Sequence, residues 1–164
     1  KTLSHDNDIQ AISSTFNEAK GSMFLGRGYS YPIALEGALK LKELSYVHAE
    51  GYPAGEMKHG PLALIEEGMP VVVLAPRDEH YKKTVSNMQE VISRGAKVLL
   101  ITNKSKDEIY SENIWQTILV EKTSDDLLPF LITIPLQKLA YYSALHKGYD
   151  IDKPRNLAKS VTVE

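Results

Sequence analysis

Residues 71–103 read VVVLAPRDEHYKKTVSNMQEVISRGAKVLLITN. Two apolar runs, VVVLAP at 71–76 and KVLLITN at 97–103, flank an amphipathic stretch at 78–94 that ends before Gly95. The runs are continuous rather than alternating, the pattern of a strand covered on both faces. A buried strand, a helix that crosses back and a second buried strand form a βαβ unit, which implies a parallel sheet. The stop at Gly95 fits a helix ending in a left-handed residue.

The alternation extends in both directions. Residues 6–20 (DNDIQAISSTFNEAK) predict a helix capped near Asp6 or Asn7. MFLGRG, 23–28, reads as a short buried strand ending in a glycine turn. Pro32 then stands where a first helical turn tolerates it, and the helix runs to about Tyr46. A short strand is expected at Tyr46–Ala49, followed by a loop at 50–61 (EGYPAGEMKHGP) with a helical turn at Gly55–His59. On the other side, QTILVEK at 116–122 is a further strand. Ser124 or Asp125 is expected to cap a long helix reaching about Gly148, with Pro129 and Pro135 marking its start or kinking it. The sum is an α/β fold: a five-stranded parallel sheet between helices, in three α/β/α layers. Ligands in such sheets bind outside the carboxyl ends of the strands, near a switch in strand order. The helix that follows Gly28 is therefore expected beside that crevice.

Composition narrows the function. The 164 residues suffice for one domain with a full core. Formal net charge is −2 with no basic run, which speaks against nucleic acid as a partner. No apolar stretch approaches the ~18 residues that a membrane span needs. With no cysteine, the chain has neither disulfides nor a thiol nucleophile. A soluble cytoplasmic protein is the simplest reading. The first residue is Lys1 rather than methionine, so a piece of a longer chain, or a processed product, is expected.

Residues 35–44, LEGALKLKEL, carry the first candidate chemistry. Helical offsets of four and seven residues bring Glu36, Lys40 and Glu43 into one stripe. Ile33, Leu44 and Leu39 border it, while Ala34, Ala38 and Leu41 fill the far side. The helix is apolar almost all round, which predicts burial. The stripe is then either a structural ion-pair ladder or the wall of a pocket in which Glu36 or Glu43 moves a proton. Glu43 lies closer in sequence to the loop at 50–61.

Other motifs are weaker. LGRG at 25–28 lacks the third glycine of a dinucleotide loop, Tyr31 standing in its place. His48 and His59, with Glu50 and Glu56 nearby, match no zinc spacing such as H-E-x-x-H, so no metal is expected. His59 is held between Lys58 and Gly60-Pro61, a stiff loop position suited to proton transfer. In the tail, Pro154 restricts the chain, and Leu157, Val161 and Val163 are apolar enough to dock it. Lys159, between Ala158 and Ser160, is a lysine that a dry site would turn into a nucleophile toward a carbonyl.

LEGALKLKELSYVHAEGYPAGEMKHGPLALIEEGMPVVVLAP, PLQKLAYYSALHKGYDIDKPRNLAKSVTVE and the GRG turn together resemble the C-terminal part of the glucosamine-6-phosphate synthase family, the glutamine–fructose-6-phosphate amidotransferases that isomerise their product. The resemblance covers about residues 23–164. It implies the SIS (sugar isomerase) fold, with residues 1–20 as a helix leading in from a preceding domain, 21–148 as the second of two SIS domains and 149–164 as a catalytic tail. It further implies that Glu43 is the base moving a proton between sugar carbons 1 and 2. Lys159 would form an imine with the open-chain ketose. His59 would assist ring opening, reaching the site of a neighbouring subunit. Glu36 and Lys40 would line the same pocket, and Ala158 would bring the tail backbone against the sugar.

On this resemblance the substrate is a sugar phosphate and no cofactor is needed. The partners are the preceding SIS and glutaminase domains of the same chain and a second copy in a homodimer. The family's Ser/Thr-rich phosphate loop, S-x-S-G-x-T, has no counterpart here, so phosphate grip is expected from the preceding domain. Two alternatives share the fold: a regulatory SIS module that senses a phosphosugar, and a deglycase acting on sugar–amine adducts.

Overall fold

Pro70–Leu74 and Ser22–Gly26 are buried at every position, and both lie inside the sheet rather than at an edge. The computed structural model describes residues 5–105, 108–109 and 112–157. In chain order the elements are α1 (Asp6–Glu18), β1 (Ser22–Gly26), α2 (Ser30–Ser45), β2 (Ala49–Pro53), β3 (Pro70–Leu74), α3 (Tyr81–Ile92), β4 (Lys97–Thr102), β5 (Gln116–Leu119) and α4 (Leu128–His146). Two 3₁₀ turns, Ala54–His59 and Pro61–Leu64, join β2 to β3. The strands are all parallel, in the order β2-β1-β3-β4-β5.

Side chains alternate across the sheet and build two cores. Phe24, Val72, Leu74, Leu99 and Ile101 face α1, α2 and α4, whose Phe16, Leu41 and Leu136 complete that layer. Met23, Leu25, Val71, Val73 and Leu100 face Met88 and Val91 of α3 and Met57 of the first 3₁₀ turn. The expected α/β/α sandwich is therefore the observed one. Gly95 has a φ of +87°, as the predicted helix stop requires.

Several expectations need correction. The edge strand is not Tyr46–Ala49 but Ala49–Pro53, with Met23 opposite Glu50 and Gly26 opposite Pro53. Its composition reads as loop because an edge strand tolerates proline and a half-buried glutamate. Gly51 is needed there, since a Cβ would stand 2.9 Å from the Leu35 backbone. The N-cap of α1 is His5, not Asp6 or Asn7, and its side chain makes no capping bond. Instead His5 Nε2 lies 3.0 Å from the Leu119 carbonyl oxygen, and Asp6 pairs with Lys138 of α4 at 2.7 Å. α3 begins at Tyr81, because Asp78 Oδ1 accepts the His80 N–H and turns the chain first. α4 begins at Leu128, with Pro129 in its first turn, while Pro135 lies inside a continuous helix.

The largest correction concerns α2, which is buried on one side only. Ala34, Gly37, Ala38 and Leu41 are buried, but Leu35 and Leu39 are 43% and 42% exposed. Small residues face inward because α4 and the sheet come close. A Cβ on Gly37 would meet Leu136 at 2.9 Å and Phe24 at 3.0 Å.

Candidate functional site

The charged stripe exists as the spacing predicted. Lys40 Nζ donates to Glu43 Oε2 at 2.7 Å and stands 3.6 Å from Glu36 Oε1. The three side chains are about one-quarter to two-fifths exposed, so the stripe is neither dry nor fully solvated. The hydrogen bond to Glu43, with the charge of Glu36, holds the Lys40 pKa above its usual value against an opposing desolvation.

Beyond the stripe, α2 ends in an unusual residue. Tyr46 adopts a left-handed conformation, φ 56°, and its N–H donates to Lys42 O at 3.1 Å. This is the position that glycine ordinarily fills, and a β-carbon there costs about 1 kcal/mol. The Tyr46 ring is the seat for the start of the tail. Arg155 donates its backbone N–H to Tyr46 Oη at 2.8 Å, and its guanidinium lies 4.0 Å from the ring centroid. Tyr149 packs on the same ring at 4.9 Å between centroids. Lys147 Nζ donates to Ser45 O at 3.0 Å, which satisfies one of the last carbonyls of α2. Burial lowers the Lys147 pKa.

A second feature is a cleft of about 600 Å³ where the strand order switches between β1 and β3. Ser30 and Ile33 of α2, Pro76 and His80 after β3, and Asp125 and Leu128 before and within α4 line it. Gly28, φ +55°, lets the chain pass His80, whose ring a Cβ would approach to 2.7 Å. Asp78, Glu79 and Asp125 contribute carboxylates to the lining, which among the described residues holds no lysine or arginine. Burial raises the Asp78 pKa.

The cleft does not contain the stripe: none of Glu36, Lys40, Glu43 and His59 lines it. The crevice lies at the first turn of α2 and the stripe further along the helix. His59 is not brought to the stripe either. It closes the 3₁₀ turn that packs on α3, across the sheet from α2, and pairs with Glu56 at 2.7 Å while 73% exposed. Ala158 and Lys159 lie outside the described residues. Among the described residues no group of three or more His, Asp or Glu side chains converges as metal ligands would, and no helix is long and apolar enough to cross a membrane. Sequence reasoning passed over Tyr46, Tyr149 and Arg155. The one available signal was a tyrosine in the place of a helix-ending glycine.

A family model described as SIS domain matches residues 15–147. The whole chain is 52% identical to a glutamine–fructose-6-phosphate aminotransferase (isomerizing) of Bartonella henselae. It covers 27% of that protein, so it spans about a quarter of the length of the curated relatives it matches. A solved structure described as the C-terminal domain of glucosamine-fructose-6-phosphate aminotransferase from Francisella tularensis superposes with a TM-score of 0.88. It is 47% identical, over 93% of this chain and 43% of that one. A glucosamine-6-phosphate deaminase structure from Thermotoga maritima gives a TM-score of 0.65 at 28% identity, over 98% of this chain and 48% of that one.

Proposed function

The chain belongs to the SIS domain family, and from that premise we propose that it is the isomerase-side segment of a glutamine–fructose-6-phosphate aminotransferase. The whole enzyme would make glucosamine 6-phosphate from fructose 6-phosphate and glutamine-derived ammonia. The observation that supports this reading is the docking of Tyr149 and Arg155 at the end of α2. Arg155 is fixed on Tyr46, three residues and about 4.5 Å along the axis beyond Glu43. Four further residues span at most about 14 Å. On this reading the Lys159 amine works beside the Glu43 carboxylate.

The chemistry follows from the two groups. The neutral Lys159 amine condenses with the C2 carbonyl of the opened ketose, and the carbonyl oxygen leaves as water. Ammonia then displaces the lysine and leaves the sugar imine. Glu43 takes a proton from C1 and returns it to C2 while the O1 hydroxyl proton passes to the imine nitrogen, which gives the 2-amino aldose. One carboxylate on a rigid helix can serve both carbons. Lys40, held by Glu43 and Glu36, fixes the orientation of that base. His59 would act in ring opening at a neighbouring subunit's site, which fits its exposure and its distance in the fold from α2. Ala158 would set the tail backbone against the sugar.

On this reading the phosphate is gripped by a preceding SIS domain, ammonia comes from a glutaminase domain, the enzyme is a cytoplasmic homodimer and it needs no cofactor. The likeness to a deaminase favours a second reading, removal of ammonia from glucosamine 6-phosphate, which would use the same base. The test is made in the full-length protein that carries this segment. E43Q should bind fructose 6-phosphate and fail to isomerise, and K159R should yield no borohydride-trapped adduct with that sugar. Normal isomerisation by E43Q overturns the assignment, and net ammonia release without glutamine-dependent synthesis favours the deaminase reading.

A further inference from the structure

We propose that the cleft between β1 and β3 is a binding site for a small organic cation: an ammonium group on an apolar body that carries a hydrogen-bonding group at its far end. No residue of the charged stripe lines this cleft, so the inference goes beyond the function proposed above and does not rest on it.

Three features of the cleft define that ligand. The first is an apolar floor. Pro76, Leu128 and Ile132 line the cleft and are buried. Its volume of about 600 Å³ is that of a small-molecule site, and walls of this kind favour an apolar body.

The second is an acidic rim. Asp78, Glu79 and Asp125 are exposed residues of the same lining. Arg77, next to Asp78 in the chain, stands 3.8 Å from Glu108 and does not line the cleft. The acids come from two separate segments, after β3 and before α4, and among the described residues no three converge as metal ligands would. Carboxylates spread in this way attract an ammonium without forming the close oxygen cage that a bare metal ion needs. Tyr29, 89% exposed, adds an aromatic ring to the lining, and an aromatic face also favours a cation.

The third is Ser30. It lines the cleft while only 4% exposed, and its N–H donates to Arg27 O at 3.1 Å. Among the described residues no group pairs with its hydroxyl. A hydroxyl without a partner inside a protein is unfavourable, and a ligand that reaches it with a donor or acceptor satisfies it. Ser30 stands in the first turn of α2 and Glu43 in its last, about 20 Å along the axis, so an occupant of the cleft leaves the stripe open.

Tyramine has the three parts: an ammonium, a ring and a phenol at the far end. It is titrated calorimetrically into the full-length protein, beside para-ethylphenol, which lacks the ammonium, phenethylamine, which lacks the hydroxyl, and hydroxyphenylpropionate, which reverses the charge. Tyramine should bind about tenfold tighter than para-ethylphenol and about threefold tighter than phenethylamine. The propionate should not bind, and saturating fructose 6-phosphate should leave the tyramine affinity unchanged. D78N keeps an acceptor for the His80 N–H, and Asp125 is exposed, so both variants fold. Together they should weaken tyramine about tenfold at an unchanged melting temperature. S30A should erase the preference for tyramine over phenethylamine. No binding of tyramine, equal affinity for tyramine and para-ethylphenol, displacement by fructose 6-phosphate or wild-type affinity in the double variant overturns the site. A loss that follows a lowered melting temperature overturns it too, and a preference that survives S30A overturns the far-end contact. None of these readings measures isomerisation, so each leaves the proposed function standing.

Discussion

The Lys40 ammonium donates to the Glu43 carboxylate at 2.7 Å, one helical turn before the point where the tail docks. An ion pair at this spacing in a partly exposed stripe stabilises a helix by only about 0.3–0.5 kcal/mol. A structural ladder and a catalytic support therefore differ in what their loss does. K40M should lower stability by about 0.5 kcal/mol and lower isomerisation at least about tenfold, because the base loses the charge that orients it. Denaturant melts and steady-state rates on the full-length enzyme separate the two effects. Equal, small changes in both would return the stripe to a ladder.

Lys159 offers a sharper chemical test. Arginine at that position keeps the charge and cannot lose its proton, so K159R should abolish the imine while substrate still binds. Mass spectrometry after borohydride treatment reads this directly. An adduct on another lysine of the chain would move the assignment.

Gly26 ends β1 where α2 begins. A Cβ there would stand 2.7 Å from Tyr31 N and closer still to the Ser30 carbonyl group. Backbone cannot yield as a side-chain end can, so G26A should cost about 3 kcal/mol. At Gly37 the same Cβ meets only the ends of Leu136 and Phe24, at 2.9 and 3.0 Å. Alanine also gains about 1 kcal/mol in helix propensity, so G37A should cost less than G26A. Urea unfolding of the two variants ranks them, and the opposite order would contradict this account of the β1–α2 turn.

Tyr52 donates its hydroxyl to Glu50 on the edge strand, and that hydrogen bond, with burial, pushes its pKa up to about 12. The folded state therefore keeps the phenol proton longer than the unfolded state, whose value is near 10. The stability this contributes is complete below pH ~10 and is lost as pH rises through about 12. Ultraviolet titration of the phenol should show the raised value, and E50Q should bring it back toward 10. An unshifted Tyr52 in the wild-type protein would dismiss the bond.

Local order along the chain determined much of this protein. Unbroken apolar runs such as VVVLAP and KVLLITN identified inner strands, and the amphipathic 78–94 stretch between them required a parallel crossover. Helical spacing alone grouped Glu36, Lys40 and Glu43, because neighbours one turn apart must share a face. The edge strand Ala49–Pro53 escaped this reading, since its pairing partner, not its own composition, makes it a strand. The one-sided burial of α2 escaped as well, because α4 decides which of its apolar faces is covered.

Only the tertiary structure decided where the sites lie. The strand order β2-β1-β3-β4-β5 places the cleft at the first turn of α2 and leaves the stripe outside it. Residues 109 positions apart, Tyr46 and Arg155, meet because α4 returns the chain to the end of α2. Periodicity reports which residues share a face of one element. Contacts between elements depend on loop closure and packing over the whole chain, which no local pattern encodes.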